Sequence, residues 1–200
     1  MQNRLAMIEF VKQLLLDKLP VNYYYHNFTH AQYVLKKTTE IGIQENCSKN
    51  DLSLLKTAAL WHDVGFINKN IGHEEEGCLI VKKYLPDYSY TNSEIEIICG
   101  LIMATKIPQS PNTKLEQIIA DADLAYLGAR GAHSKAKLLF KEMQSLNPTL
   151  SEEEFIDIQI SFLQNHRYFT SYCQNKTTIG KLEYLKSLMI KMPSYKLALK

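Results

Sequence analysis

The sequence predicts an all-α fold, a single-domain helical bundle, and three observations lead there. Apolar residues recur at three- and four-residue spacing in one stretch after another. Two-residue alternation, the mark of a half-buried strand, is nearly absent. Between the apolar stretches stand proline, glycine, or a Ser/Thr with an acid three residues on, which are helix stops and starts. No repeat of fixed period, low-complexity stretch or linker-like composition marks a domain boundary.

Taken in order, residues 3–19 place Leu5, Ile8, Val11, Leu15 and Leu19 near a helical period, and Pro20 stops the run. Tyr23-Tyr24-Tyr25-His26-Asn27 reads as a polar-aromatic connector. A helix follows from about Phe28 to Ile43, with His30, Tyr33 or Val34, and Lys37 on successive turns; Gly42 and residues 46–50 break it. Ser48 with Asp51 forms a capping box that uses Asp in place of Glu. It opens a helix in which Leu52, Leu55, Ala59 and His62 share one stripe, and Gly65 is expected to close that helix in the left-handed conformation. Phe66 to Gly72 is a loop. The helix from His73 carries Glu74, Glu75 and Glu76 in its first turn, where acids suit the dipole, and ends at Pro86.

Thr91 with Glu94 caps an apolar helix containing Ile95, Ile98, Leu101 and Ile102. Residues 106–113 hold two prolines and form a loop. From Lys114 to Leu127 a helix puts Ile119, Ala122, Asp123 and Tyr126 on one stripe, so Asp123 is expected to face inward. Asp121 then sits laterally, at the surface or just behind a site. Helices over 132–146, from Ser151 (capped with Glu154) to about Tyr168, and from about Thr178 to Met192, stopped by Pro193, complete eight or so.

Composition narrows the function classes. Two hundred residues suit one domain with a substantial core, and 46% apolar with 22% charged residues is ordinary for a soluble globular protein. A net charge of +2 makes no global case for nucleic acid or membrane binding. No apolar run approaches the roughly 18 residues of a membrane span. Met1-Gln2-Asn3-Arg4-Leu5 runs into an amphipathic pattern with Glu9 and Asp17, unlike a signal peptide. Cys47, Cys78, Cys99 and Cys173 are spread without a CxxC, as expected of reduced thiols in a cytoplasmic protein. A homodimer is compatible with the sequence.

The chemistry gathers around Leu60-Trp61-His62-Asp63-Val64-Gly65. His62 continues an apolar stripe, and Asp63 falls at a helix C-terminus, where the dipole is already negative and a carboxylate wants a cation. The groups able to converge there are His26, His30, His62, Asp63, His73, Asp121 and Asp123. A carboxylate on a core-facing stripe is costly unless paired or bound to a cation. Two imidazoles and two carboxylates suit a divalent first-row metal with positions left for water.

Four segments in this order resemble the HD-domain superfamily of metal-dependent phosphohydrolases. They are Tyr25-His26-Asn27-Phe28-Thr29-His30-Ala31, Leu60 to Gly65, His73-Glu74, and Asp121-Ala122-Asp123-Leu124-Ala125-Tyr126-Leu127-Gly128. The His-Asp pair alone is a trivial match, whereas the four together are specific, and the likeness covers about 20–170. It implies a helical bundle of the HD-domain type with the C-terminal helix packed on it. Carried over by position, His30, His62, Asp63 and Asp123 would ligate one divalent metal ion (Mn, Mg, Co, Ni, Fe or Zn).

The Tyr-His-Asn-x-x-His-Ala segment is similar to that of the superfamily's cyclic-nucleotide phosphodiesterases. There the histidine before the ligand is the general acid, here His26, and Asp63 would be the base. Relatives with two metals carry more histidines between the His-Asp pair and the last aspartate. Here only His73 lies there, so His73 and Glu74 are expected behind the ligands or at a weak second ion. Where many relatives have histidine after an Ala-Thr pair, this chain has Lys106; Lys106 and Arg130 are the phosphate-binding candidates. His166-Arg167-Tyr168-Phe169-Thr170 resembles a C-terminal segment of small HD proteins and is expected to close over the pocket. His133 reads as a surface residue, and Tyr23 to Tyr25 as candidates to line a base-binding pocket.

The implied activity is hydrolysis of a small phosphorylated metabolite or nucleotide, as a phosphomonoesterase or phosphodiesterase, through a metal-activated water. The alternatives are an HD-type iron oxygenase and a non-catalytic metal- or nucleotide-binding HD module.

Overall fold

The structure, a computed structural model, describes residues 2–192, with side chains from Arg4 onward. Among the described residues are ten α-helices, three short 3-10 segments and no strand. In chain order the helices are α1 (Gln2–Lys18), α2 (Phe28–Gln44), α3 (Lys49–Trp61), α4 (His73–Tyr84), α5 (Asn92–Met103), α6 (Lys114–Asp123), α7 (Ala132–Leu146), α8 (Glu152–Asn165), α9 (Ser171–Lys176) and α10 (Thr178–Lys191). The expected all-α class holds. The expected stop at Pro193 lies outside the described residues. No described helix is long and apolar enough to cross a membrane.

The chain gathers into two compact units that divide between Asp123 and Leu124. The division falls inside the stretch read from sequence as one helix over 114–127. There α6 ends at Asp123 and the backbone tightens into a 3-10 segment, Leu124–Gly128.

In the first unit α2 packs on α3 and α6, while α5 packs on α3 and α4. Its core includes Val34, Leu55, Trp61, Ile98, Ile102 and Ile119, all fully buried. The starts of its helices are written in the sequence. Ser48 Oγ accepts from Asp51 N at 3.1 Å and Asp51 Oδ2 from Ser48 N at 3.1 Å. Thr91 and Glu94 make the same reciprocal pair, at 3.3 and 2.8 Å. Replacing such a cap costs about 1 kcal/mol. Asn27, read above as part of a connector, is the cap of α2: its Oδ1 accepts from Thr29 N at 2.9 Å.

Gly65 is a correction. Among the described glycines only Gly72, the N-cap of α4, has a positive φ, at 77°. Gly65 lies in a 3-10 segment, Val64–Ile67, and is glycine for want of space. A Cβ there would stand 1.8 Å from the carbonyl oxygen of His73 and 2.8 Å from Gly77 N. The start of α4 thus lies directly on the backbone that follows Asp63.

In the second unit α10 packs on Leu124–Gly128, α8 and α9. A Cβ on Gly180 would be 2.2 Å from the Gly128 oxygen, so here too two backbones meet. Lys181 is buried and donates to Leu163 O at 3.3 Å and to His166 O, closing the open carbonyls at the end of α8.

Candidate metal centre

Four side chains from three helix ends meet in the first unit. Asn27 caps α2 and so sets His30 in its first turn; His62 is the C-cap of α3, Asp63 follows it, and Asp123 is the last residue of α6. His30 is 2% exposed and His62 1%. The two Nε2 atoms stand 3.2 Å apart. Asp123 Oδ1 is 3.1 Å from His30 Nε2 and 3.5 Å from His62 Nε2. Asp63 Oδ2 lies 3.4 and 3.1 Å from the same two nitrogens. The ligand atoms of His30, His62 and Asp123 all fall within 4.8 Å of one another, close enough to share one ion.

The donor chemistry fits a cation. His62 Nδ1 lies 2.9 Å from the Ala59 carbonyl, which only accepts, so Nδ1 carries the proton. In the neutral ring Nε2 is then a lone pair, facing another imidazole nitrogen and two carboxylate oxygens. Asp63 Oδ2 is buried without a hydrogen bond, as is His30 Nδ1. Acceptors do not converge in a dry interior unless positive charge sits among them.

The electrostatics agree. Burial raises the Asp63 carboxyl, but the His62 charge overrides it and holds the group well below the usual carboxylate range. Burial likewise raises Asp123, and the bonds to His30 and His62 bring it far down. Burial works against a charged His62, yet Asp63 and Asp123 lift it well above 6.5. For His30 burial prevails over the bond to Asp123, and the ring is driven down. Without a metal, then, one imidazolium serves two carboxylates, and the cluster stays short of positive charge.

The other candidates divide. His26 stays outside the cluster, its ring centroid 5.7 Å from that of His30 and 4.7 Å from that of Phe66. His73 Nε2 is 3.8 Å from Asp63 Oδ1 and 3.5 Å from Glu74 Oε1, and its Nδ1 meets Asn70 O at 3.1 Å. Glu74 is buried. The half-exposed Lys106 is ion-paired with Glu75 on α4, so its charge is already engaged. Arg130 belongs to the second unit, where it lines a cleft of about 220 Å³ with His133 and Glu183. The exposed His133 meets Ser187 Oγ at 3.0 Å. His166 is also in the second unit, with both ring nitrogens buried and unpartnered; burial and then Lys181 draw it down to about 4.

Two expectations change. Asp121 is not at the surface: it is 0% exposed, whereas the Asp123 side chain keeps 15%. Residues 118–122 are buried all round, so a single stripe does not rank their exposure, and accessibility returns only at the end of α6. Tyr23 and Tyr25 are buried packing residues; Tyr25 lies against His30 with ring centroids 4.6 Å apart. The sequence reading passed over the Ala59 carbonyl and Phe66. The first was findable, because the last carbonyls of a helix are free and His62 stands one turn beyond Ala59.

The family model of the HD domain matches residues 27–125, a span that takes in all four converging residues. No curated protein matches the chain. The ordered histidines and aspartates, their meeting at three helix ends and the matched span agree: residues 27–125 are an HD domain, and through it the chain belongs to the HD superfamily of metal-dependent phosphohydrolases.

Proposed function

We propose that this HD domain hydrolyses a phosphate ester of a small metabolite or nucleotide with the help of a divalent metal ion. The supporting observation is the convergence of His30 Nε2, His62 Nε2, Asp123 Oδ1 and Asp63 Oδ2, where, among the described residues, one imidazolium faces two carboxylates. His30, His62 and Asp123 would hold the ion, with Asp63 completing the set. When bound, a divalent ion supplies Lewis acidity, polarising a phosphoryl oxygen and making water a usable nucleophile near neutral pH.

The chain's own groups take the remaining tasks. Asp63 accepts a hydrogen bond from the attacking water and orients it; so acidic a carboxyl is a weak base, so orientation is its main contribution. His26, beside the cluster, protonates the leaving oxygen. His73 and Glu74 stand on the Oδ1 side of Asp63, where a weaker second ion would find a nitrogen and two carboxylates. Lys106 would reach a phosphate only by leaving Glu75. We place the protein in the cytoplasm on its free thiols.

The test is purified protein loaded in turn with Mn²⁺, Mg²⁺, Co²⁺, Ni²⁺, Fe²⁺ and Zn²⁺, assayed on an activated phosphate ester and a nucleotide panel. His62→Ala and Asp123→Ala are expected to abolish turnover while leaving the helical circular dichroism intact. Full activity in either variant rejects the assignment. Oxygen uptake by the iron form would indicate an oxygenase, and tight nucleotide binding without turnover a sensing module.

A further inference from the structure

We propose that Phe66 is a positioning residue for the two histidines beside the cluster, fixing the ring of His73 against Asp63 and packing against the ring of His26. The inference rests on the reading above for its effect on turnover, and on geometry alone for its effect on the rings.

Phe66 follows Asp63 by three residues in a 3-10 segment, and its N–H donates to Asp63 O at 3.1 Å. That bond ties the backbone of Phe66 to the residue whose carboxylate enters the cluster. It is buried and touches rings from two other segments. The His73 ring stacks on it, with centroids 3.7 Å apart and planes 17° apart. The His26 ring also lies against it, at 4.7 Å and 34°, and Tyr23 at 5.2 Å.

The stack decides what His73 can address. A ring held only by Nδ1 at Asn70 O could still swing about that bond. The phenyl face removes this freedom and leaves Nε2 directed at Asp63 Oδ1 and Glu74 Oε1. Gly65 makes the stack reachable, because only a residue without a Cβ lets the His73 carbonyl come so near. Gly65 and Phe66 together join the start of α4 to the His-Asp pair: one admits the backbone and the other orients the ring. Ring faces this close and nearly parallel leave the imidazole little room to turn about its own axis out of the stack.

The experiment compares the wild-type chain with Phe66→Leu, Phe66→Met and Phe66→Tyr. It reads Mn²⁺ affinity, kcat and KM on the activated ester, and the imidazole NMR signals of His26 and His73 in the Mg²⁺ form. Both ringless variants are expected to lower kcat by roughly 10- to 100-fold, the scale of a misplaced catalytic group, with KM and Mn²⁺ affinity unchanged. The His73 ring protons lose their ring-current shift in both, and Phe66→Tyr restores rate and shift together.

Unchanged kcat in a folded ringless variant, or a fall in Mn²⁺ affinity parallel to kcat, overturns the proposal. So do His73 signals that stay in place. Should the wild type hydrolyse no ester with any metal, the functional reading fails by itself. The NMR comparison then still decides whether Phe66 fixes the two rings.

Discussion

Each unit buries polar groups, and the two sets are treated differently. In the second unit the buried polar tips of Lys181, Tyr184 and Tyr168 meet partners, and His166, whose ring nitrogens do not, is a neutral ring rather than a charge. Lys181 donates to two carbonyls, Tyr184 OH to Gln159 Oε1 at 3.2 Å, and Tyr168 OH to Leu124 O at 3.2 Å. In the first unit His30, His62, Asp63 and Asp123 are about as deeply placed, yet two carboxylates share one imidazolium and Asp63 Oδ2 has no hydrogen bond. Burial is common to scaffold and site. What separates them is whether the buried groups satisfy each other or are left short of a cation.

The same contrast appears in two histidines. His62 is surrounded by carboxylates and is lifted well above the ordinary imidazole value. Among the described residues no acid acts on His166, and burial makes it a neutral ring packed against Phe162 and Tyr168.

The largest effects should separate the two sets outright. His30→Ala is expected to weaken Mn²⁺ binding beyond the roughly 10- to 100-fold loss typical of residues behind the ligands. Lys181→Met should leave Mn²⁺ affinity unchanged while costing about 1–3 kcal/mol of stability, since two carbonyls lose their donor. Metal titration and urea unfolding of both variants check this, and a Lys181 variant with lost metal affinity would erase the distinction.

Next in size is Gly65→Ala. A methyl group aimed at the His73 carbonyl forces the segment after Asp63 away from α4, at about 1–3 kcal/mol. A lowered denaturation midpoint is the expected result; an unchanged one would mean that the approach of the two backbones is not needed.

The smallest effect is one of pH, and its sign differs between the units. In the metal-free protein the His62 contribution is fully present below its unfolded value of 6.5 and is lost as pH rises through the raised folded value. For His166 the unfolded chain takes up its proton near 6.5 and the folded chain only near 4. Stability therefore falls as pH drops through that window and levels off below it. With allowance for partial exposure, His166→Phe should recover about 2 kcal/mol at pH 4 relative to pH 7. Urea unfolding across this range measures it, and an unaltered acid slope would remove His166 from the account.

Much of this was legible beforehand. The capping boxes at Ser48, Thr91 and Ser151 are local bonds between residues three apart, and each appears where the sequence places it. The ordered His30, His62, Asp63 and Asp123 were readable as a set, because a helix end following an apolar stripe points its last residues toward the core. Of the two readings of Asp121, at the surface or behind a site, the first falls, since residues 118–122 are all buried and depend on neighbours that periodicity does not describe. Gly65 was assigned the wrong reason: a glycine after a helix suggests a left-handed cap, and the backbone crossing above it belongs to a residue eight positions later.

The sequence by itself determined most of the helices, their capped starts, and the identity of the converging side chains, because these follow from periodicity, capping and residue chemistry within a few neighbours; the short helix Ser171–Lys176 and the end of α6 at Asp123 escaped it. Only the tertiary structure decided how these side chains face one another, that the Ala59 carbonyl meets His62 Nδ1, and that Phe66 packs on both His26 and His73. Those relations join segments distant along the chain, and packing in three dimensions settles which atoms meet.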